Sequence, residues 1–218
     1  MIIAIDGPAG AGKSTVAKIL AKKLKFIYID TGAMYRALTL KAIEEKININ
    51  DTAQLIETAR TTSINLINNH NGSLHVLLDG RDVSQDIRLP RVTKFVSDVA
   101  KIREIREVML KLQRSLGAKK DCILDGRDIG TVVFPDADIK FYLDATADER
   151  TKRRHKELNE AGTDISLSEV SKDLLNRDTI DSNREFAPLK KAPDAIHIDT
   201  TDMSIGQVVE KMLKWIKP

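Results

Sequence analysis

Short apolar runs alternate with amphipathic stretches at the start of the chain. Met1 to Ile5 is an isoleucine-rich run that ends at a glycine-rich segment, and the apolar residues after that segment recur at helical spacing as far as Leu24. A second apolar run, Phe26 to Ile29, is followed by helical periodicity from Ala37 to Ile43. This order of strand, helix and strand predicts a parallel β-sheet with helices packed against it.

The middle of the chain has a different pattern. Between Ser63 and Val83, apolar and polar residues alternate on both sides of Asn71-Gly72, a strong signal for a two-residue hairpin turn. Asp79-Gly80 marks a second turn, and the stretch from Val92 to Leu116 returns to helical spacing. We therefore predict a small antiparallel insertion that is followed by helix.

The rest of the chain returns to alternating strands and helices. The predicted strands are Cys122–Leu124, Ile139–Leu143 and Ala195–Ile198, and the predicted helices are Ala147–Glu160, Leu167–Asn176 and Ser204–Ile216. No internal repeat and no linker divides the 218 residues. The sequence thus predicts one α/β domain, an open parallel sheet flanked by helices with a small antiparallel insertion.

Composition and charge narrow the class of protein only slightly. The hydrophobic set makes up 42% and charged residues 31%, which is typical of globular chains. The net charge of +3 and the pI of about 8.9 suit either nucleic acid or a pocket for several phosphates. Neither a secretory signal nor an apolar stretch of ~18 residues is visible, so we expect a cytoplasmic protein without a membrane segment. The single cysteine, Cys122, lies in an apolar run and is expected to be a buried, inert thiol.

Residues 7–14 match the phosphate-binding pattern G-x-x-x-x-G-K-[ST]. They are Gly7, Pro8, Ala9, Gly10, Ala11, Gly12, Lys13 and Ser14. The glycines allow consecutive backbone N–H groups to approach phosphate oxygens at the N-terminus of the following helix. Lys13 would neutralise the β- and γ-phosphates of ATP, and the Ser14 hydroxyl would bind Mg²⁺.

Several classes of nucleotide-binding protein share this loop. No Asn-Lys-x-Asp sequence of the kind that recognises guanine is present, and the chain is too small for a typical helicase core. Small-molecule kinases are therefore favoured. A phosphate monoester acceptor would be largely ionised at neutral pH and would need no dedicated base, whereas a hydroxyl acceptor would need one.

Two segments after predicted strands supply candidate acceptor residues. In the segment 30–36, Arg36 could pair with an acceptor phosphate and Tyr35 could stack on a base. In the segment 125–128, Asp125 occupies the position of an acid that could hold Mg²⁺ through water. Arg127 could bind a phosphate, and Asp128 could accept a hydrogen bond from an exocyclic amine.

Two further sets of charged residues recur at helical spacing. The first, which could clamp ATP phosphates when a lid closes, comprises Arg150, Arg153 and Arg154. The second, which suits the phosphate and ribose of a nucleotide, comprises Arg177, Asp181 and Arg184. The histidines join no recognisable triad or zinc spacing and are expected to be structural: His70, His75, His155 and His197.

The motifs together resemble the bacterial cytidylate kinases, which phosphorylate CMP and dCMP. The matching segments are IDGPAGAGKST, DTGAMYR, LDGRDIGTVVFPDA, DATxxERxxRR and RDxxDxNRxxAPL, in the order and approximate spacing of that family. The resemblance covers essentially the whole chain. It implies ATP as phosphoryl donor, Mg²⁺ as cofactor, CMP or dCMP as acceptor, and a monomer that binds no nucleic acid.

The resemblance also implies roles for individual residues. The catalytic residues would be Lys13, Arg127 and Arg184. The ATP contacts of the loop would extend to Thr15 and include the lid residues Arg150 and Arg154. The CMP-binding set would be Thr31, Tyr35, Arg36, Ser97, Arg106, Arg127, Asp128, Arg177, Asp181 and Arg184. Within it, Ser97, Arg106 and Asp128 would form the base site, and Asp181 and Arg177 would contact the ribose.

The family's architecture implies three parts within the single domain. The core would comprise residues 1–36, 106–147 and 186–218, the monophosphate-binding insert about residues 37–105, and the lid about residues 148–185.

Two other functions are consistent with parts of the sequence. A P-loop kinase for AMP, UMP or a hydroxyl acceptor such as shikimate or dephospho-coenzyme A would share the donor site. A non-catalytic, ATP-regulated nucleic-acid-binding module would suit the basic pI, although the 4% aromatic content and the lack of an RNA-binding signature argue against it. The sequence leaves the preference between CMP and dCMP open.

Overall fold

The computed structural model describes residues 1–69, 74–118, 121–160 and 162–216. Its strands are β1 (Ile2–Asp6), β2 (Ile27–Asp30), β3 (Ile64–Asn68), β4 (Leu74–Leu78), β5 (Arg81–Asp82), β6 (Cys122–Gly126), β7 (Ile139–Asp144) and β8 (Ile196–Asp199). Its α-helices are α1 (Lys13–Leu24), α2 (Thr31–Glu44), α3 (Thr52–Thr61), α4 (Pro90–Ala100), α5 (Arg103–Gly117), α6 (Ala147–Glu160), α7 (Leu167–Asn183) and α8 (Ile205–Leu213).

Five of the strands form the predicted parallel sheet, in the order β2-β6-β1-β7-β8. The strands are in register at their carboxyl ends, where Asp125 of β6 lies opposite both Ile5 of β1 and Asp30 of β2. In such a sheet, ligands bind beyond the carboxyl ends of the strands. The acids at the ends of β1, β2 and β6 therefore lie along the edge where a ligand is expected.

The antiparallel insertion is also confirmed, as a three-stranded sheet in the order β3-β4-β5. Asp79 and Gly80 both have positive φ angles, 48° and 85°, which is the backbone conformation of the two-residue turn predicted there. The predicted turn at Asn71-Gly72, and His70 beside it, lie outside the described residues.

One local prediction needs correction, and two elements were not predicted. The helical stretch from Val92 to Leu116 is two helices, α4 and α5, separated by an extended Ile102. Its periodicity continues across the break because Val99 and Ile105 are buried in the same core. Helix α3 and a short π-helical turn at Ile129–Val133 were not predicted.

The largest groups of buried apolar side chains form two separate cores. One packs α1 and α8 against the parallel sheet around Ile3, Ile5 and Phe141. The other joins α2, α4 and α5 to the antiparallel sheet around Met34 and Leu38. No helix among the described residues has the length and apolar character to span a membrane.

Candidate active site

The loop between β1 and α1 has the conformation that its glycines predict. Gly7, Gly10 and Gly12 all have positive φ, at 145°, 79° and 83°. A Cβ atom on Gly7 would lie 1.9 Å from the backbone oxygen of Leu143, so only glycine fits there. Helix α1 begins at Lys13, and its first backbone N–H groups have no partner within the helix. The loop and helix end together form a cradle for phosphate oxygens.

Lys13 lies inside this cradle. Its Nζ atom donates a hydrogen bond to the backbone oxygen of Pro8 at 2.6 Å, and its side chain is buried. Burial and, secondarily, the charge of Arg127 lower the pKa of Lys13 to about 7. A phosphate group would stabilise the charged form of this lysine.

Asp125 holds two hydroxyl groups at the end of β6. The Ser14 hydroxyl donates to Oδ2 at 2.6 Å, and the Tyr28 hydroxyl donates to Oδ1 at 2.8 Å. Burial and then the charge of Asp30 raise the pKa of Asp125 to about 6. Burial and then Asp125 raise the pKa of Tyr28 well above its usual value, so Tyr28 remains a hydrogen-bond donor. The adjacent oxygens of Ser14 and Asp125 are the type of ligand that Mg²⁺ prefers.

A chain of five charged side chains links α5, the segment after β6 and the C-terminal end of α7. In spatial order its members are Arg106, Asp128, Arg184, Asp181 and Arg127. The Arg106–Asp128 ion pair is 2.6 Å long, and the Arg127–Asp181 pair is 2.9 Å long. Arg184 joins the two pairs, with contacts of 3.5 Å to Asp128 and 3.6 Å to Asp181. Three guanidinium groups face two carboxylates, so the chain carries an excess positive charge. We refer to these five residues as the acceptor cluster.

Some donors around the acceptor cluster form no hydrogen bond within the described residues. In the part of the chain that the structure describes, the buried side-chain nitrogens without a hydrogen bond are Nε of Arg106, Nε of Arg177 and Nη2 of Arg184. Buried unpaired donors are rare in folded proteins and need an explanation. An anionic, hydrogen-bonding ligand beside these arginines would supply the missing acceptors.

Arg36 extends the positive charge toward α4. It donates to the Thr93 hydroxyl at 2.8 Å and to the backbone oxygen of Ile87 at 3.4 Å, which are both uncharged acceptors. Burial and then the charges of Arg177 and Arg154 lower the pKa of Arg36 to about 9. This arrangement also favours an anion.

Two of the predicted base-site residues, Arg106 and Asp128, belong to the acceptor cluster. The Tyr35 ring lies under the Arg106 guanidinium, with the ring centroid 5.2 Å from Cζ. Ser97 is buried on α4, one turn from Thr93. The Thr31 hydroxyl has a different contact, since it donates to the backbone oxygen of Asp125 at 2.7 Å.

The arginines predicted on one face of α6 have separate contacts. Arg150 is buried and donates to the backbone oxygens of Ala145 and Ala9, both at 3.0 Å. It also forms an ion pair with Asp178 of α7, whose carboxylate accepts a hydrogen bond from the Ala9 N–H at 3.3 Å. Arg150 therefore fastens the phosphate-binding loop to α6 and α7.

Arg154 and Arg153 point to different neighbours. Arg154 pairs with Glu157 at 2.8 Å and lines a cavity of about 50 Å³ that it shares with Arg177 between α4, α6 and α7. Arg153 instead donates to the hydroxyl and backbone oxygens of Thr200, beyond the end of β8. The helical spacing places all three arginines on one face of α6 and does not predict that their partners differ. Thr15, in the first turn of α1, is exposed.

Asp6, a buried acid at the end of β1, was not predicted from the sequence as a site residue. Its two carboxylate oxygens accept hydrogen bonds from the backbone N–H groups of Ile129 and Gly130, at 2.8 and 2.7 Å. Burial raises the pKa of Asp6 to about 7. The carboxylate thus anchors the backbone that directly follows Asp128. An acid at the end of an apolar strand was the signal that identified Asp125, and it would have identified Asp6 as well.

The histidines that the structure describes have structural neighbours. His75 bonds to Asp82 across the antiparallel sheet at 2.6 Å, His155 contacts the backbone oxygen of Ile165 at 3.0 Å, and the His197 ring lies 6.0 Å from that of Tyr142. Cys122 is buried and free, as predicted.

Comparison with known proteins accounts for this combination of loop and acceptor cluster. The family model described as "Cytidylate kinase" matches residues 3–218. The chain belongs to the cytidylate kinase family. The cytidylate kinase of Clostridioides difficile (strain 630) is 51% identical over 216 residues, which cover 99% of this chain and 98% of that relative. The cytidylate kinase of Desulforamulus reducens is 52% identical, with coverage of 99% and 96%.

Solved structures support the fold of this cytidylate kinase family member. A shikimate kinase from Bacteroides thetaiotaomicron has a TM-score of 0.50 at 11% identity, with 99% of this chain and 97% of that chain covered. An uncharacterised protein from Eubacterium ventriosum has a TM-score of 0.54 at 16% identity, with coverage of 99% and 98%. At these identities the likeness concerns the fold alone, which is that of P-loop kinases.

Arg184 offers a test of the acceptor cluster in this cytidylate kinase family member. Its Nε atom donates to the backbone oxygen of Ala187 at 2.6 Å, whereas Nη2 is buried without a hydrogen bond. We expect Arg184→Ala to lower kcat/KM by roughly 100-fold with either CMP or dCMP, because a charge-stabilising donor is lost. Coupled measurement of ADP release checks this. Arg114→Ala is the control, at a helix arginine whose side-chain hydrogen bonds among the described residues go to the backbone oxygens of Val132 and Val133. A loss confined to one of the two acceptors would contradict the expected role.

Proposed function

We propose that this protein transfers the γ-phosphoryl group of ATP to CMP and dCMP, giving ADP together with CDP or dCDP. The observation that carries the proposal is the position of two complementary sites at one edge of the sheet. The phosphate-binding loop and the acceptor cluster meet at the segment 125–128, where Asp125 bonds to Ser14 of the loop and Arg127 and Asp128 belong to the cluster. Full-length relatives at about 50% identity that are cytidylate kinases support the same activity.

The reaction needs positioning and charge stabilisation more than it needs a base. An oxygen of the acceptor phosphate attacks the γ-phosphorus, and the bond from that phosphorus to the β–γ bridging oxygen breaks as ADP leaves. Because the second pKa of a phosphate monoester is about 6, the attacking oxygen is largely ionised at neutral pH. The absence of a histidine base from our proposed mechanism follows from that chemistry.

We assign the phosphate contacts by charge and position. Lys13 would stabilise the γ-phosphoryl group as it moves, with the loop residues Gly7–Ser14 and Thr15 around the donor phosphates. Arg127 and Arg184 would face the transferred group from the acceptor side, and Arg36 would hold the acceptor phosphate. The lowered pKa values of Lys13 and Arg36 support this assignment, since burial disfavours both charges and neither group forms an ion pair among the described residues.

We assign recognition of the acceptor nucleoside to the remainder of the site. Asp128 would accept a hydrogen bond from the cytosine amino group, with Arg106 and Ser97 beside it and the Tyr35 ring against the base. Asp181 and Arg177 would contact the ribose. A carboxylate is a suitable acceptor for this amine.

Magnesium fits the donor side of the site. The Ser14 hydroxyl would bind the ion directly and Asp125 would bind it through water, because both offer hard oxygen ligands 2.6 Å apart. When bound, the ion neutralises charge on the β- and γ-phosphates. The protein's own contribution is to hold these two oxygens beside the N-terminus of α1.

We further propose that the insert, about residues 37–105, and the lid, about residues 148–185, close over the two nucleotides. Support comes from Arg150 and Asp178, which join the lid to the phosphate-binding loop through Ala9. Closure would exclude water and so suppress hydrolysis of ATP. Arg154 would meet ATP in the closed state. We place the enzyme in the cytoplasm as a monomer that needs neither nucleic acid nor a membrane.

An acceptor panel tests the proposed function. We expect CMP and dCMP to give the highest kcat/KM when ADP release is measured with CMP, dCMP, UMP, AMP, shikimate and dephospho-coenzyme A at saturating Mg·ATP. Asp128 favours an amino group at that position of the base, so UMP should be about 10-fold or more below CMP. A higher rate with AMP or with a hydroxyl acceptor than with either cytidine nucleotide would refute the proposal.

A further inference from the structure

The hydroxyl group of Tyr28 has a place in the site that no assigned role explains. Tyr28 lies in the middle of β2, its side chain is buried, and its hydroxyl donates to Oδ1 of Asp125 at 2.8 Å. The other carboxylate oxygen, Oδ2, receives the Ser14 hydroxyl at 2.6 Å. The two oxygens of Asp125 are thus held separately, one by the phosphate-binding loop and one by the sheet.

Tyr28 is itself fixed by the insertion. β2 is an edge strand of the parallel sheet, so its outer backbone groups have no neighbouring strand in that sheet. The side-chain amide of Asn68, at the end of β3, replaces such a strand at this one residue. Its Oδ1 accepts from the Tyr28 N–H at 3.2 Å, and its Nδ2 donates to the Tyr28 backbone oxygen at 3.0 Å. Lys18 lies over the Tyr28 ring, 5.7 Å from the centroid.

We propose that Tyr28 is a positioning residue for phosphoryl transfer, whose hydroxyl orients the Asp125 carboxylate that works with Ser14 at the magnesium site. This inference rests on the proposed function. Two donors on opposite oxygens restrict rotation of a carboxylate about its terminal bond, and burial keeps water from replacing either donor. If Ser14 turns toward a metal ion, the Tyr28 hydroxyl is the contact that keeps Asp125 in place.

The expected effect follows from the behaviour of groups that orient metal ligands. Loss of such an outer partner lowers metal affinity by roughly 10- to 100-fold, because the ligand is no longer held in its binding orientation. Tyr28→Phe removes only the hydroxyl and keeps the buried ring, so the core packing is retained. The change therefore separates orientation of Asp125 from packing of β2.

The experiment compares ADP binding with and without metal. The dissociation constant of ADP is measured by calorimetry in EDTA and again in excess Mg²⁺. The EDTA value divided by the Mg²⁺ value is a ratio that reports how strongly the site couples metal binding to nucleotide binding. We expect Tyr28→Phe to lower this ratio by about 10-fold, or to one where the wild-type ratio is below about 10, with little change in the dissociation constant measured in EDTA. In steady-state kinetics, kcat should fall while KM for CMP stays within about twofold.

Tyr142→Phe is the matched control, since Tyr142 is a half-buried tyrosine of the same sheet whose ring neighbours His197. It should leave the ratio unchanged. An unchanged ratio in Tyr28→Phe, or an equal weakening of ADP binding in EDTA and in Mg²⁺, would overturn the inference. A wild-type protein without CMP-dependent ADP release would instead refute the proposed function, so the two failures are distinguishable.

Discussion

Replacing Lys13 with alanine is expected to lower kcat/KM for CDP formation by about 1,000-fold. Lys13 is the cation inside the phosphate-binding loop, and its Nζ contacts only a backbone oxygen among the hydrogen bonds of the described residues. Removing one preorganised charge-stabilising group from a water-excluded site typically lowers the rate by roughly 100- to 1,000-fold, and Lys13 would contact the transferred group itself. Single-turnover formation of CDP from labelled CMP provides the measurement.

The stability of the Lys13→Ala protein distinguishes this effect from unfolding. Burial lowers the pKa of Lys13 from 10.5 to about 7, so the native state disfavours the charged form. The stability associated with the neutral form is present above pH 10.5 and is lost as the pH falls through about 7. At neutral pH the alanine variant should therefore melt at or above the wild-type temperature. Lys22→Ala, an exposed change on the same helix, should alter neither the rate of CDP formation nor the melting temperature. Retention of more than about a tenth of the wild-type rate by Lys13→Ala would contradict the mechanism.

Asp128→Asn is expected to change acceptor choice as well as rate. Asparagine keeps the size of the side chain and leaves an oxygen for Arg106, which Asp128 now contacts at 2.6 Å. The asparagine NH₂ group, a hydrogen-bond donor, takes the place of the second carboxylate oxygen, which is an acceptor. A site built to hydrogen-bond an amino group then lacks its acceptor, whereas the carbonyl of uracil can receive the new N–H. We expect kcat/KM for CMP to fall by about 100-fold and the CMP-to-UMP ratio to fall by at least about 10-fold.

The measurement for Asp128→Asn is a pair of kcat/KM values, for CMP and UMP, at the same Mg·ATP concentration. Asp136→Asn, at an exposed acid shortly after in the chain, is the control for the loss of one negative charge. If Asp128→Asn impairs CMP and UMP to the same extent, Asp128 does not recognise the base. The thermal unfolding profile should be recorded as well, because Arg106 is buried and depends on this partner.

Most of the fold could be predicted from the sequence because its signals are local. The parallel strands are apolar runs bounded by turns, and helix α6 begins and ends where its periodicity predicts. Boundaries were less predictable where tertiary contacts decide them. α2 begins directly at Thr31 because Asp30 caps it by accepting a hydrogen bond from the Ala33 N–H at 2.9 Å. α3 was not predicted because its apolar face is short, and the packing of that face against α5 is a tertiary contact.

The candidate site was predictable in part. The loop 7–14 is a contiguous motif, so the sequence alone predicted its position and its phosphate-binding role. Most residues of the acceptor cluster were also predicted as candidates, but Ser97 and Arg106 came from the resemblance alone, because nothing in a helical repeat distinguishes them from ordinary helix residues. Asp6 and Tyr28 were missed. Their contacts, with Ile129 and with Asp125, join positions about a hundred residues or more apart in the chain.

By itself, the sequence determined that a phosphate-binding loop stands between a strand and a helix of a parallel α/β domain, and that charged residues suited to a second nucleotide follow it. Only the tertiary structure decided which of those charges meet. Arg106, Asp128, Arg184, Asp181 and Arg127 form one chain of ion pairs, whereas Arg153, in the same predicted stripe as Arg150, binds the backbone near Thr200 instead. The physical reason is that spacing along a helix fixes which side chains share a face, but the strand and helix packed against that face determine their partners.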